Sequence, residues 1–178
     1  MPHSVADSIA NVLGPIKLTS SKLSLLRPDI KVLSSSGDVL RTIRSNVPDL
    51  AHMEGSLPSH NNAPTTILFH RAPPFKETPA LIWAVHGQSG EIRVEAAATM
   101  LHAFDSGAKI LVEDFESGEV ETVTWEDPMA GKGIEGAANN IGGLYEAFAG
   151  GEKGTWPTFE DALQKHRMLD EVLGDWNA

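Results

Sequence analysis

Apolar and polar positions change period twice along this chain. At the start Val5, Ile9, Val12 and Leu13 recur at helical spacing, and Gly14 and Pro15 close the run. A two-residue period then takes over. Residues 16–26 read as a strand that alternates in its middle, and residues 30–33 and 38–44 as two short strands around Ser34-Ser35-Ser36-Gly37, a hairpin signal. Residues 50–57 make a weaker strand, and His60, Asn61 and Asn62 a polar turn. Three further strands follow at residues 65–71, 80–86 and 91–94, the last two joined by Gly87-Gln88-Ser89-Gly90. Residues 108–115 and 120–125 form another pair around Glu116-Ser117-Gly118. The helical period returns in residues 140–149, where Ile141, Leu144, Tyr145 and Phe148 form a stripe ended by Gly150 and Gly151. A last helix starts from Thr158 as N-cap, with Asp161 at its third position. Phe159, Ala162, Leu163, His166, Leu169, Val172 and Leu173 are its predicted buried stripe, and Gly174 closes it.

A block of strands with helices at the ends predicts an α+β fold: an open, mostly antiparallel sheet whose helices cover one face. The length of 178 residues fits a single domain spanning 1–178. Hydrophobic residues at 41% and charged residues at 21% are enough for a packed core.

Charge and composition narrow the function. A net charge of −10 argues against a nucleic-acid backbone and against an anionic membrane surface. No apolar run reaches the length of a membrane span, and the first residues do not read as a signal peptide. With no cysteine there are no disulfides, thiolate metal sites, iron–sulfur clusters or cysteine nucleophiles. A cytoplasmic protein is the expectation.

The chemistry-bearing residues concentrate in residues 63–94. Pro73, Pro74 and Pro79 stiffen a loop that presents Phe75 and Lys76, either as a wall of a binding site or as an ordinary strand connection. Along the first strand Phe69 and Arg71 share one face, Leu68 and His70 the other. On the next, Trp83 and Val85 oppose Ala84 and His86. Periodicity leaves either face as the open one. His70, His86, Lys76 and Arg71 are the candidates for acid–base or hydrogen-bonding work, and Phe75, Trp83 and Phe69 for an apolar substrate wall. The carboxylates Glu113, Asp114, Glu116, Glu119, Glu121 and Glu126 read as a solvated acidic hairpin, so no metal is expected. Gly131-Lys132-Gly133-Ile134-Glu135-Gly136 matches G-x-G-x-x-G but has only helices after it. A dinucleotide site needs a further parallel strand there.

The residues Pro74-Phe75-Lys76-Glu77-Thr78-Pro79-Ala80-Leu81-Ile82-Trp83, followed by Gly87-Gln88-Ser89-Gly90-Glu91-Ile92, resemble a segment of the Gfo/Idh/MocA oxidoreductases in their fungal Gal80-like branch. Residues 140–148, 156–162 and His166 are similar to that family's C-terminal helices, and residues 5–14 to the helix entering its second domain. The resemblance implies the family's C-terminal α/β domain, which binds substrate and pairs subunits through its sheet. It also implies that the N-terminal Rossmann domain, with its nicotinamide site and catalytic lysine, is not part of this sequence. The family's histidine motif would fall at the very start, where His3 stands one place out of register and Ser4 takes the strict position.

Three functional expectations follow. In the first the domain is a cofactor-independent isomerase, dehydratase or cyclase acting on an apolar small molecule. In the second it is a non-catalytic binding or regulatory module. In the third it works with a separate Rossmann-domain protein. A homodimer through the open sheet face is expected in each.

Overall fold

The computed structural model describes residues 2–98, 107–125, 137–151, 156–174 and 176. Glu126 and the glycine motif of residues 131–136 lie outside the described residues. The elements run α1 (Pro2–Leu13), β1 (Lys17–Ser24), β2 (Asp29–Leu33), β3 (Val39–Arg44), β4 (Leu50–Leu57), a short 3-10 turn (Pro58–His60), β5 (Ala63–His70), β6 (Leu81–His86), β7 (Gly90–Ala96), β8 (Lys109–Asp114), β9 (Val120–Val123), α2 (Ala137–Gly150) and α3 (Phe159–Leu173). The fold is α+β, and every strand pairing among the described residues is antiparallel. The chain divides into two compact units, Met1–Ala72 with Glu160–Ala178, and Pro73–Phe159.

The first unit holds a three-stranded sheet in the order β1-β4-β5 and a separate two-stranded arm, β2-β3. Asn61 and Asn62 make the tight turn before β5. Both sit at positive φ (54° and 55°), a region asparagine tolerates better than other non-glycine residues. Alternation along β4 and β5 then sends Ala51, Met53, Leu57 and Ile67 to one face, and all four are buried. Ile9 of α1 and Val172 of α3 are buried in the same unit. Met168 of α3 closes a small apolar cavity with Ile16, Leu18, Met53, Gly55, Thr65 and Ile67. The Ser59 hydroxyl donates to the Leu13 carbonyl (2.9 Å), capping α1 where Gly14 turns away at φ 86°.

Asp49 pins the far end of this sheet. Its side chain is buried and accepts the amides of Leu26 (2.8 Å) and Arg27 (2.7 Å). Its own amide donates to the Ser24 carbonyl, and its carbonyl accepts the amide of Arg71. One residue therefore ties the end of β1, the start of β4 and the end of β5. The amide of Leu26, foremost, holds the Asp49 carboxyl below the usual aspartate range.

The second unit holds the sheet β6-β7-β8-β9 and α2. Gly87 donates to Gly90 across the β6–β7 turn (2.8 Å), and Phe115 donates to Ser89 (2.9 Å). A side chain on Gly90 would run into the backbone carbonyl of Glu113, so this turn needs a glycine there. The Asp114 carboxylate accepts the amides of Glu116 and Ser117 and the Ser117 hydroxyl, forming the β8–β9 turn. These bonds, led by the Ser117 amide, lower its pKa.

The helical stripes are the main correction. Val172 is buried and Leu169 half-buried as expected, but His166, Phe159, Ala162, Leu163 and Leu173 are exposed. The inward side of α3 is offset, with Lys165 and Met168 half-buried instead. Ile141, Leu144, Tyr145 and Phe148 of α2 also face outward. Phe148 packs edge-on to Trp156, with ring centroids 5.4 Å apart. Helical spacing identifies a shared face without saying what that face meets.

Candidate acid–base site on the β6–β7 hairpin

The four-residue turn from Gly87 to Gly90 fixes the register so that His86 stands opposite Glu91, Trp83 opposite Val94 and Ala84 opposite Arg93. Residues two apart share a face, so Ile82, Ala84, His86, Glu91, Arg93 and Glu95 lie on one side of the sheet. Trp83 and Val85 lie on the other with Val94 and Ile92.

His86 and Glu91 form the best-defined polar pair of this unit. Nδ1 of His86 lies 2.8 Å from Oε2 of Glu91. The histidine side chain is 73% exposed and the glutamate only 12%. The other oxygen of Glu91, Oε1, accepts Nη2 (2.8 Å) and Nε (3.1 Å) of Arg93. Glu91 is therefore clamped from two sides. The Arg93 hydrogen bonds, with help from the charge of His86, hold its carboxyl below the usual glutamate range against the opposing effect of desolvation. Arg93 is shifted upward by the same contact. Nε2 of His86 and Nη1 of Arg93 make no hydrogen bond among the described residues. This is a carboxylate-oriented imidazole with one open nitrogen, beside an open guanidinium edge, over the small side chain of Ala84. Such a group can take up or release a proton, and the guanidinium edge can receive developing negative charge.

The other sequence candidates are divided between the two units. His70 ends β5 opposite Leu50 and is exposed, and Phe69 is half-buried opposite Ala51 on the other face. Arg71 follows the strand; its backbone amide and carbonyl bind Asp49 and Arg27. All three belong to the first unit. Lys76, Phe75 and Trp83 belong to the second with His86. Lys76 pairs with its exposed neighbour Glu77 at 3.6 Å, and Phe75 is 83% exposed. The loop is tied by Thr78, whose amide and hydroxyl both donate to the Phe75 carbonyl, and Glu77 takes a positive φ of 63°. Trp83 is half-buried and faces away from His86. His3 and Ser4 fall in the first turn of α1.

Glu91 and Arg93 were not among the sequence candidates. The signal was present: a four-residue turn flanked by His86 and Glu91, with Arg93 two residues on. Among the described residues no three His, Asp or Glu side chains converge to hold a metal. No helix among them is long and apolar enough to cross a membrane.

Comparison with known proteins bears on what this hairpin belongs to. No family model matches the chain. A dehydrogenase of Aspergillus oryzae, aclE, is 26% identical over 168 residues, 94% of this chain and 42% of that protein. Among solved structures, a super-repressor mutant of Gal80p from Saccharomyces cerevisiae superposes with a TM-score of 0.76 at 18% identity, over 96% of this chain and 46% of that one. The transcriptional regulator Gal80p from Kluyveromyces lactis gives 0.66 at 21% identity, over 89% and 38%. The chain thus spans less than half the length of the proteins it matches.

Proposed function

Because this chain is related to the Gfo/Idh/MocA-like oxidoreductases and shares the fold of Gal80, we propose that it acts on a small molecule held against the β6–β9 sheet. His86 is the acid–base group and needs no cofactor. The observation that carries this reading is the 2.8 Å contact from Glu91 to Nδ1 of His86, which leaves Nε2 open to a substrate. Nε2 takes a proton from a carbon beside a carbonyl. The electron pair moves onto the carbonyl oxygen, next to the guanidinium edge of Arg93, and Glu91 balances the imidazolium charge. Return of the proton to a different atom completes an isomerisation; delivery of the proton from Nε2 to a hydroxyl on the next carbon, as its C–O bond breaks and water leaves, completes a dehydration. Neither needs an oxidant. Ile82 and Ala84 offer an apolar floor on the same face.

The resemblance implies a nicotinamide cofactor for whole members of the family. A dinucleotide cradle is built from parallel strands joined through a helix. Every pairing among the described residues is antiparallel, so these residues do not fit that group, and no step of the proposed reaction passes through it.

Two other readings have an observation behind them. The Gal80p match is a transcriptional regulator, which favours a ligand-binding module without catalysis. The A. oryzae match is named a dehydrogenase, which favours a substrate domain working beside a cofactor-binding protein. One assay separates the three. The purified protein is incubated in heavy water with a panel of ketones, aldehydes and hydroxyketones, with and without a nicotinamide dinucleotide, and deuterium uptake is read by mass spectrometry. Exchange without nicotinamide that falls about 10²-fold or more in His86→Ala supports the acid–base reading. Exchange unchanged in that variant, or none at all, overturns it. Binding without exchange moves the assignment to the regulatory module, and turnover only with a nicotinamide enzyme added moves it to the partnered domain.

A further inference from the structure

Of the carboxylates on β8 and β9, only Glu113 shares a face with His86. The register sets Glu113 directly opposite Glu91 on one side and opposite Val120 on the other. Asp114, next along β8, is committed to the β8–β9 turn, and Glu121 stands opposite Val112 on the far face. Three neighbouring strands therefore carry His86, Glu91 and Glu113 in one row. Ala84, Arg93 and Leu111 make the row beside it.

The charges in these rows do not cancel. Glu91 is taken, with one oxygen on Arg93 and the other on His86. Lys109, the other cation of this face, stands opposite Glu95, at the far end of β8 from Glu113. Glu113 is half-buried, yet it makes no hydrogen bond or ion pair among the described residues. Glu91 foremost, then Glu95 and Glu113, raise the pKa of Arg93, so the guanidinium feels the charge of Glu113 without bonding it. Like charges directly opposite in a sheet cost stability. The fold gains nothing from a carboxylate set against Glu91, and Glu113 keeps its acceptor positions for something else. The side chains next to it, Leu111 and Val120, are apolar, and Val120 is exposed.

We infer that Glu113 anchors the cationic end of the substrate, and that the molecule acted on at His86 is a carbonyl compound with an apolar body and an ammonium group. The inference rests on the acid–base reading of His86 and names what that site selects. Three points hold the substrate: Nε2 of His86 at the reacting carbon, the open edge of Arg93 at the carbonyl oxygen, and Glu113 at the ammonium. His86 and Glu113 stand two strands apart, roughly 9–10 Å across the sheet, so the ammonium lies several carbons from the carbonyl. Ala84 and Leu111 offer the apolar body a surface in the adjoining row. A substrate with a carboxylate at that end meets Glu113 beside Glu91 and is rejected by like charge.

The test is deuterium exchange in heavy water with methyl ketones of one chain length that end in a dimethylammonium, a hydroxyl or a carboxylate group. The expected kcat/KM is highest for the ammonium ketone and lowest for the carboxylate, the two differing by about 10²-fold. Glu113→Gln should cut that ratio by about tenfold, and Glu113→Lys should invert it. An inverted preference is a gain for one ketone, which a damaged fold does not produce. Glu121→Gln removes the same charge from the opposite face and should leave the ratio where it was. A ratio near one in the unmodified protein, or one that neither change at Glu113 moves, overturns the anchor and leaves the acid–base reading standing. So does a ratio that Glu121→Gln moves as far as Glu113→Gln, because overall charge would then be doing the selecting. No exchange with any of the three ketones overturns the acid–base reading, and the anchor with it.

Discussion

Asp49 and Glu91 are both held below their ordinary pKa range by hydrogen bonds, yet the bonds come from different places. Asp49 is spent on the backbone: the amides of Leu26 and Arg27 fill its two oxygens, inside a corner joining three strands. Glu91 is spent on side chains, with His86 on one oxygen and Arg93 on the other. A carboxylate bound to amides stabilises the fold and has nothing left to offer a ligand. A carboxylate bound to side chains orients them, and those side chains can be altered without moving a strand. The same direction of pKa shift therefore marks a structural pin in one unit and a candidate site in the other. Chemistry is read from what the carboxylate holds.

The largest expected effect breaks the comparison on the Asp49 side. Asp49→Ala leaves the amides of Leu26 and Arg27 in a closed corner without an acceptor, while the backbone bonds of residue 49 to Ser24 and Arg71 remain. It should lower Tm by roughly 5 °C or more in a thermal melt, a greater loss than any single change at the β6–β7 hairpin. Acid dependence sharpens this. A carboxyl with a lowered folded pKa contributes stability that is complete above its ordinary value near 3.8 and is lost as pH falls through the lower folded value. The Asp49→Ala melt should accordingly flatten below about pH 4 relative to the unmodified chain. An unchanged acid limb would mean the carboxylate contributes little to folding.

Gly90→Ala comes next, because it strikes the site through the backbone. An added methyl meets the Glu113 carbonyl, so the β6–β7 turn must shift. The expected cost is about 1–3 kcal/mol by denaturant titration. Deuterium exchange should fall with it, since the register that sets His86 against Glu91 depends on this turn. Stability lost with exchange retained would show that His86 does not need that register.

Glu91→Gln tests the other half of the comparison. Glutamine keeps the shape and one acceptor but removes the charge that balances an imidazolium. Exchange is expected to drop by about tenfold to 10²-fold with little change in Tm. The Arg93 guanidinium should also become freer, read as weaker protection of its Nε proton by NMR. A large Tm loss with exchange intact would make Glu91 a structural pin like Asp49 and erase the difference between the two carboxylates.

The sequence showed the strands better than it showed the site. Period-two runs and glycine, proline and asparagine turns placed all nine strands of the described residues within about two residues, because both signals are local. The likeness to Gal80p in fold and to the A. oryzae dehydrogenase in sequence was also legible, as a resemblance, from the segment around Phe75 to Ile92. The face that α2 and α3 turn inward was not. Phe159 and Leu163 fit the period, but what a helix meets is decided by tertiary packing. His86 was legible as a candidate, while Glu91 and Arg93 were not. Their role appears only once His86 and Glu91 are set opposite each other across the turn. Of the polar candidates, His70 and Arg71 belong to the first unit, and His86 and Lys76 to the second.

The smallest expected effect is a gain, and it sharpens the contrast between buried groups that are satisfied and one that is not. Thr65 stands opposite Gly55 with its side chain over the apolar cavity lined by Met53, Ile67 and Met168. Its hydroxyl oxygen is buried and has no hydrogen-bond partner among the described residues. Asp49 is buried and fully bonded; Thr65 bears the desolvation of a hydroxyl with nothing in return. Thr65→Val keeps the β-branched shape favoured in a strand and replaces the oxygen by a methyl. Stability should rise by about 1 kcal/mol in a denaturant titration, with deuterium exchange unchanged, because the cavity lies in the unit that does not carry His86. A loss of stability instead would mean that the hydroxyl is hydrogen-bonded in solution, by a water in the cavity, and that this corner of the core is wet.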